Sequence, residues 1–319
     1  MARCGTGEVV HSERTGGGIV CFGECMIELS RASQGDLWRM GFAGDTANVA
    51  IYSARLGAPV SFMSAIGSDM QSEAMRSFLM SEDIDCRTLL KHPECIPGLY
   101  AIDTDAAGER SFTYWRERSA ARNFFGIAGA EEALAIAARA DLLYLSGITL
   151  SLFDEIGRQR VVDLAASVRA NGGGVAFDGN YRPSGWEDAS TARRAFAAIA
   201  PYCTIALPTF EDEVALFGDA DPHDSLERWH EMGARLVVLK LGGEGALVSV
   251  EGSSVQKIPC PERRNARDTT GAGDSFNAGF LCSLLSERDP LAAAHAGNKL
   301  AGSVIMHPGA IIPTEAMPA

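Results

Sequence analysis

Asp268-Thr-Thr-Gly-Ala-Gly-Asp-Ser-Phe276 runs directly into Asn277-Ala-Gly-Phe-Leu-Cys-Ser-Leu-Leu285, a helical pattern. A glycine-rich turn that opens a helix aims free backbone N–H groups and the positive end of the helix dipole at whatever lies above it. The stretch therefore reads as an anion site. Gly271 and Gly273 let the backbone approach phosphate oxygens closely. Asp274 falls in the first helical turn, where the dipole is expected to favour the ionised carboxylate and leave it free to accept a proton from an attacking hydroxyl. Taken alone, an acidic residue there is simply stabilising, and a short G-x-G-D run is more often structural than catalytic. No G-x-x-x-x-G-K-[ST] occurs, which excludes a P-loop.

Outward from that stretch, short apolar runs alternate with helical patterns. The runs are Ile19–Gly23, Val60–Ile66, Leu142–Ser146, Gly174–Asp178, Thr204–Leu207 and Leu236–Leu241. Helical spacing appears in Ala47–Leu56, Ser72–Met80, Glu131–Ala140, Glu155–Ala170, Thr191–Ile199 and Leu226–Met232, and two Ala-rich helices follow at 272–286 and 290–304. This rhythm predicts an α/β fold, a doubly wound, mostly parallel sheet flanked by helices. Two regions break it. Residues 24–44 and 97–117 read as strands, the second as a hairpin through Asp105-Ala-Ala-Gly108. A small β-sheet lid made from these distant segments is expected over the larger domain. Residues 1–18 read as a flexible leader and 19–319 as one domain.

The formal net charge of −13 argues against nucleic acid and anionic membrane as partners. No run approaches the ~18 apolar residues of a membrane span. The eight cysteines are scattered without a C-x-x-C pair, as expected of small buried hydrophobes in a reducing, cytoplasmic setting.

Gly44-Asp45-x-x-Asn48 places an acceptor and a donor one helical turn apart, as a polyol requires. The same residues also suit a plain helix start, with Asp45 or Thr46 as the cap. Tyr114 and Arg116 share one strand face, with Tyr100 on the preceding strand. Together with Arg182, which follows a strand end in Asp178-Gly-Asn-Tyr-Arg182, Arg116 can hold an anion. Solvation, or pairing of Arg182 with Glu187, accounts for these arginines equally well. Lys240-Leu-Gly242-Gly-Glu-Gly245 is a glycine-dense turn between two strands.

Nine residues in register, 268–276, resemble the C-terminal signature of the ribokinase-like (PfkB) carbohydrate kinases. In that family the residue matching Asp274 is the catalytic base, and the amides matching Gly271, Ala272 and Gly273 form an anion hole. The resemblance implies a ribokinase-like fold, ATP and Mg²⁺ as cofactors, and sugar contacts from Gly44, Asp45 and Asn48. This chain has Ala43-Gly44-Asp45 where many relatives carry Gly-Gly-Asp. Gly23-Glu-Cys-Met-Ile-Glu-Leu-Ser30, Pro97-Gly-Leu-Tyr100, Tyr114-Trp-Arg116 and Asn180-Tyr-Arg-Pro183 resemble the bacterial branch that phosphorylates 2-keto-3-deoxygluconate.

In that branch the positions of Tyr100, Tyr114, Arg116 and Arg182 contact the keto acid. The nucleotide side is implied at Asn180, Arg182, Lys240, Gly242, Gly245, Gly271 and Gly273, with Asn298 near the adenine. Where many relatives have Asn-x-x-Glu, associated with Mg²⁺ and its waters, this chain has Thr209-Phe-Glu-Asp212, so the metal ligands stay unassigned. Asp268 and Thr270 match positions that carry a monovalent cation (K⁺) in several relatives. Lid-sheet edges in such kinases commonly pair between subunits, which leaves a homo-oligomer open. The competing functions are a fructokinase or ribokinase-like kinase of a neutral sugar, and a catalytically silent sugar-sensing protein on the same fold.

Overall fold

The computed structural model describes residues 17–31, 37–104, 110–262 and 265–318. Along the chain its strands are β1 (Ile19–Phe22), β2 (Met26–Arg31), β3 (Trp38–Ala43), β4 (Val60–Ile66), β5 (Leu89–Lys91), β6 (Leu99–Thr104), β7 (Arg110–Trp115), β8 (Leu142–Ser146), β9 (Gly174–Asp178), β10 (Ile205–Ala206), β11 (Leu236–Lys240), β12 (Ala246–Val250) and β13 (Gln256–Ile258). The helices are α1 (Asp45–Arg55), α2 (Met70–Ser81), α3 (Ala130–Ala137), α4 (Gly147–Ser151), α5 (Glu155–Ala170), α6 (Ala189–Ile199), α7 (Phe210–Phe217), α8 (Pro222–Glu231), α9 (Ala272–Glu287) and α10 (Pro290–Val304).

One sheet runs β13-β12-β11-β10-β9-β8-β1-β4-β5. It is parallel from β11 to β5, and β12 and β13 are antiparallel additions. Alternation along each strand divides the core into two layers. Val20 and Phe22 of β1 join Leu143, Phe177, Phe196 and Trp229 on the α3, α5, α6 and α8 side. Ile19 and Cys21 join Leu142, Ile51, Phe280 and Leu300 on the α1, α2, α9 and α10 side. Each such aromatic or large aliphatic side chain contributes about 1.5–3 kcal/mol on burial, so both sheet faces must be covered.

From β1 the chain builds outward through β4 and β5, then returns to lay down β8 on the other side of β1. Strand order reverses there, and the carboxyl ends at such a point open a crevice.

The segments that broke the α/β rhythm form a second sheet in the order β3-β2-β6-β7. Only β2 and β6 in it are parallel, and Tyr100 pairs directly with Tyr114 across β6 and β7. The turn expected at 105–108, and residues 1–16 of the expected leader, lie outside the described residues. Gly17 and Gly18 belong to the folded body, since both N–H groups donate to Asp141, at 3.2 and 3.0 Å. Among the described residues no helix is long and apolar enough to cross a membrane.

Candidate active site

A cleft of 1890 Å³ opens where β1, β8, β9 and β11 end, and Met26, Tyr100, Phe112 and Tyr114 of the second sheet border it. Every site residue expected from the sequence, from Gly44 to Asn298, lines this one cleft.

At its floor the signature turn leads into α9. Gly271 precedes the helix at φ 73°, a left-handed conformation suited to glycine, and a Cβ there would stand 2.8 Å from the Ala310 carbonyl. The N–H groups of Gly271, Gly273 and Asp274 find no acceptor among the described residues. The expectation for Ala272 needs correction. Its N–H closes a turn onto the Thr269 carbonyl at 3.2 Å, so it is not free for an anion. Asp268 fastens the turn from behind by accepting from the Thr270 N–H at 2.9 Å and from the Gly309 N–H.

Asp274 corrects a second expectation. Its pKa is not lowered by the helix dipole but pushed up to about 7, because burial and the charges of Asp45 and Asp178 outweigh the dipole. The Asn48 amide, 2.8 Å from Asp274, and the Lys240 ammonium oppose the rise.

Asn48 and Asp45 reach the floor from α1. The cap of that helix is Gly44, neither Asp45 nor Thr46, and a Cβ at Gly44 would stand 2.1 Å from the Glu24 carbonyl. Asp45 is therefore free to face the cleft, where it accepts from the Ser146 hydroxyl at the end of β8 and from the Asn180 amide at 3.3 Å. Burial raises its pKa.

Both arginines already have partners. Arg116 lies 2.5 Å from the carboxylate of Glu24, whose side chain is 2% exposed. Neither Glu24 oxygen, nor Nε and Nη2 of Arg116, reaches hydrogen-bond geometry with a described partner. Arg182 donates to the Tyr181 carbonyl at 2.8 Å and to Asp212 at 3.0 Å. Glu187 pairs with Arg158 instead. A guanidinium carries five donors, so neither pairing exhausts an arginine. Nearby, the Tyr100 ring lies 5.8 Å from that of Tyr114, and the Tyr100 hydroxyl donates to Glu28.

Gly242 and Gly245 line the opposite end, where Asn298 of α10 donates to the Ile258 and Pro259 carbonyls at 3.2 and 3.3 Å. Lys240 does not solvate at its strand end. Only 6% exposed, it donates to Asp178 at 2.9 Å and to Asn277 at 3.2 Å. Glu24, Asp178, Ser146, Tyr144 and Asn277 were not anticipated. A usable signal existed for Glu24, Ser146 and Asp178, which are polar residues at the carboxyl ends of central strands, where such folds place ligands.

A model of the pfkB family of carbohydrate kinases matches residues 17–317. The chain is 39% identical over 307 residues to the 2-dehydro-3-deoxygluconokinase of Dickeya dadantii, covering 94% of this chain and 98% of that one. Its fold is similar to the PfkB protein of Polaromonas sp. JS666, with TM-score 0.80 and 26% identity over 91% of this chain and 96% of that one. It also resembles a fructokinase with bound ATP from Xylella fastidiosa, with TM-score 0.80 and 20% identity over 94% of each chain. The reversal of strand order, the cleft above it and a family match over nearly the whole length agree: this chain is a sugar kinase and belongs to the pfkB family of carbohydrate kinases.

Proposed function

We propose that this chain transfers the γ-phosphoryl group of ATP to the 6-hydroxyl of 2-keto-3-deoxy-D-gluconate. One observation carries the reading. A single cleft holds a carboxylate whose pKa burial pushes up to about 7, beside the Gly271 and Gly273 amides, which find no acceptor among the described residues, with two guanidiniums at the sugar end. The 39% identity to a 2-dehydro-3-deoxygluconokinase supports the choice of sugar acid.

In this reading Asp45 and Asn48 hold the hydroxyls of the sugar, and Arg116 and Arg182 share its carboxylate with Glu24 and Asp212. Asp274 takes the proton of the 6-hydroxyl as that oxygen bonds to the γ-phosphorus, and the bond to the bridging oxygen breaks to release ADP. The amides of Gly271 and Gly273 meet the charge on the transferred group. The nucleotide lies along Gly242–Gly245 toward Asn298, and the second sheet serves as the lid that excludes water.

No cluster of three or more His, Cys, Asp or Glu suited to a metal occurs among the described residues. Mg²⁺ bound with phosphates needs only one or two carboxylates, and Asp212, facing the cleft with its pKa raised by burial, fits that role through water. When bound, the ion would neutralise phosphate charge.

A coupled ADP-release assay with 2-keto-3-deoxygluconate, fructose and ribose tests the reading. It predicts kcat/KM for the sugar acid at least about 10²-fold above either neutral sugar. Equal or better use of fructose or ribose would replace it with a neutral-sugar kinase, and absence of ADP release with all three would contradict it outright.

A further inference from the structure

Three carboxylates from three elements converge in the cleft at the signature turn: Asp45 of α1, Asp178 of β9 and Asp274 of α9. One ammonium, that of Lys240 at the end of β11, sits among them. A Cβ added at Gly273 would lie 3.7 Å from its Nζ, so the charge packs directly against the turn. Asn277 stands one helical turn below Asp274 on α9. Its amide donates to Asp178 at 2.6 Å and to the Tyr144 hydroxyl at 3.0 Å, while its oxygen accepts from Lys240 at 3.2 Å. Lys240 and Asp178 are 6% and 2% exposed, and Asn277 and Tyr144 are fully buried.

We infer that the Lys240–Asp178 pair is a positioning device for the reaction: its two opposed charges, packed against the turn, set the field at the Asp274 carboxylate. The inference rests on the reading of Asp274 as the base. A buried ion pair is a poor source of net stability, because desolvation offsets most of its attraction. An apolar pair of the same volume would join β9, β11 and α9 at least as well, but it would leave Asp274 facing Asp45 without a cation. The groups that face Asp274 are Asp45 and Tyr52 from α1, Tyr144 from β8, Asp178 from β9 and Lys240 from β11. Burial pushes the Tyr52 phenol up to about 12 and that of Tyr144 well up, so both are uncharged near neutrality. Lys240 is then the one cation that offsets two carboxylates among these groups.

The two members of the pair must act with opposite signs. Removing the cation in Lys240→Met makes Asp274 harder to ionise, and removing the anion in Asp178→Asn makes it easier. In pH profiles of kcat/KM for the full chain with sugar acid and ATP, the acid limb moves up by at least about one pH unit in Lys240→Met and down in Asp178→Asn. The double variant falls between the two. Loss of a merely structural contact would lower the plateau in both variants without moving the limb in opposite directions. Lys240→Gln replaces Lys240→Met if thermal melts show the latter unfolded.

An acid limb that stays in place in both variants, or moves the same way in both, overturns the inference. A wild-type profile with no acid limb, or an active Asp274→Asn, would instead overturn the assignment of the base.

Discussion

The side-chain amide of Asn48 donates a 2.8 Å hydrogen bond to the carboxylate of Asp274, joining the first turns of two helices that begin far apart in the chain. α1 and α9 lie on the same face of the main sheet, and in the proposed reaction this bond ties the sugar-holding residues to the base. A hydrogen bond to an ionised carboxylate favours the charged form.

Replacing Asn48 with Leu removes that bond at similar volume. The acid limb of kcat/KM should shift upward from about 7, and KM for the sugar should rise at least about tenfold. A profile that superimposes on wild type would show that the bond does not govern Asp274.

Asp274→Asn should reduce turnover at least about 10²-fold while leaving the fold intact. Its effect on stability has a definite sign. Because the folded pKa of Asp274 is raised to about 7 from the ordinary 3.8, protonation favours the native state. This contribution is fully present below the ordinary value and is lost as pH rises through about 7. Melting temperatures should therefore match near pH 4, while at pH 8 the Asn variant should exceed wild type by about 2 °C or more. A wild-type advantage at pH 8 would mean that Asp274 is not held in a carboxylate-hostile setting.

Most of the fold was legible because the apolar periods are long and uninterrupted. Val60–Ile66, Glu155–Ala170 and the last two helices came directly from the pattern. α8 begins at Pro222, four residues before its first apolar position, since Asp221 and Asp224 cap it with a polar box that carries no period. The acidic start of α7, Glu211-Asp212-Glu213, hid that helix in the same way. The signature turn was legible because its residues are contiguous. The pairs Glu24–Arg116 and Lys240–Asp178 were not, because strand ends distant in sequence bring them together and neither partner alone carries a pattern.

Arg182 is more than half exposed and bound to Asp212, so its removal should cost little stability. Arg182→Ala should raise KM for the sugar acid at least about tenfold more than KM for a neutral ketose. An equal rise for both substrates would argue against recognition of a carboxylate.

Arg116 differs because its partner is buried. Arg116→Met removes the ion-pair partner of the buried Glu24 carboxylate and should destabilise by about 3–5 kcal/mol in urea titrations. Adding Glu24→Gln should recover a large part of that loss. If the double variant is no more stable than Arg116→Met, the two charges are not coupled.

The most direct measurement is the product itself. After incubation of the chain with ATP, Mg²⁺ and 2-keto-3-deoxygluconate, phosphorus–proton correlation NMR should show one sugar phosphate whose phosphorus couples to the two C6 protons, formed at least about 10²-fold more slowly by Asp274→Asn. Coupling to another carbon's proton, or no sugar phosphate despite ATP consumption, would contradict the account.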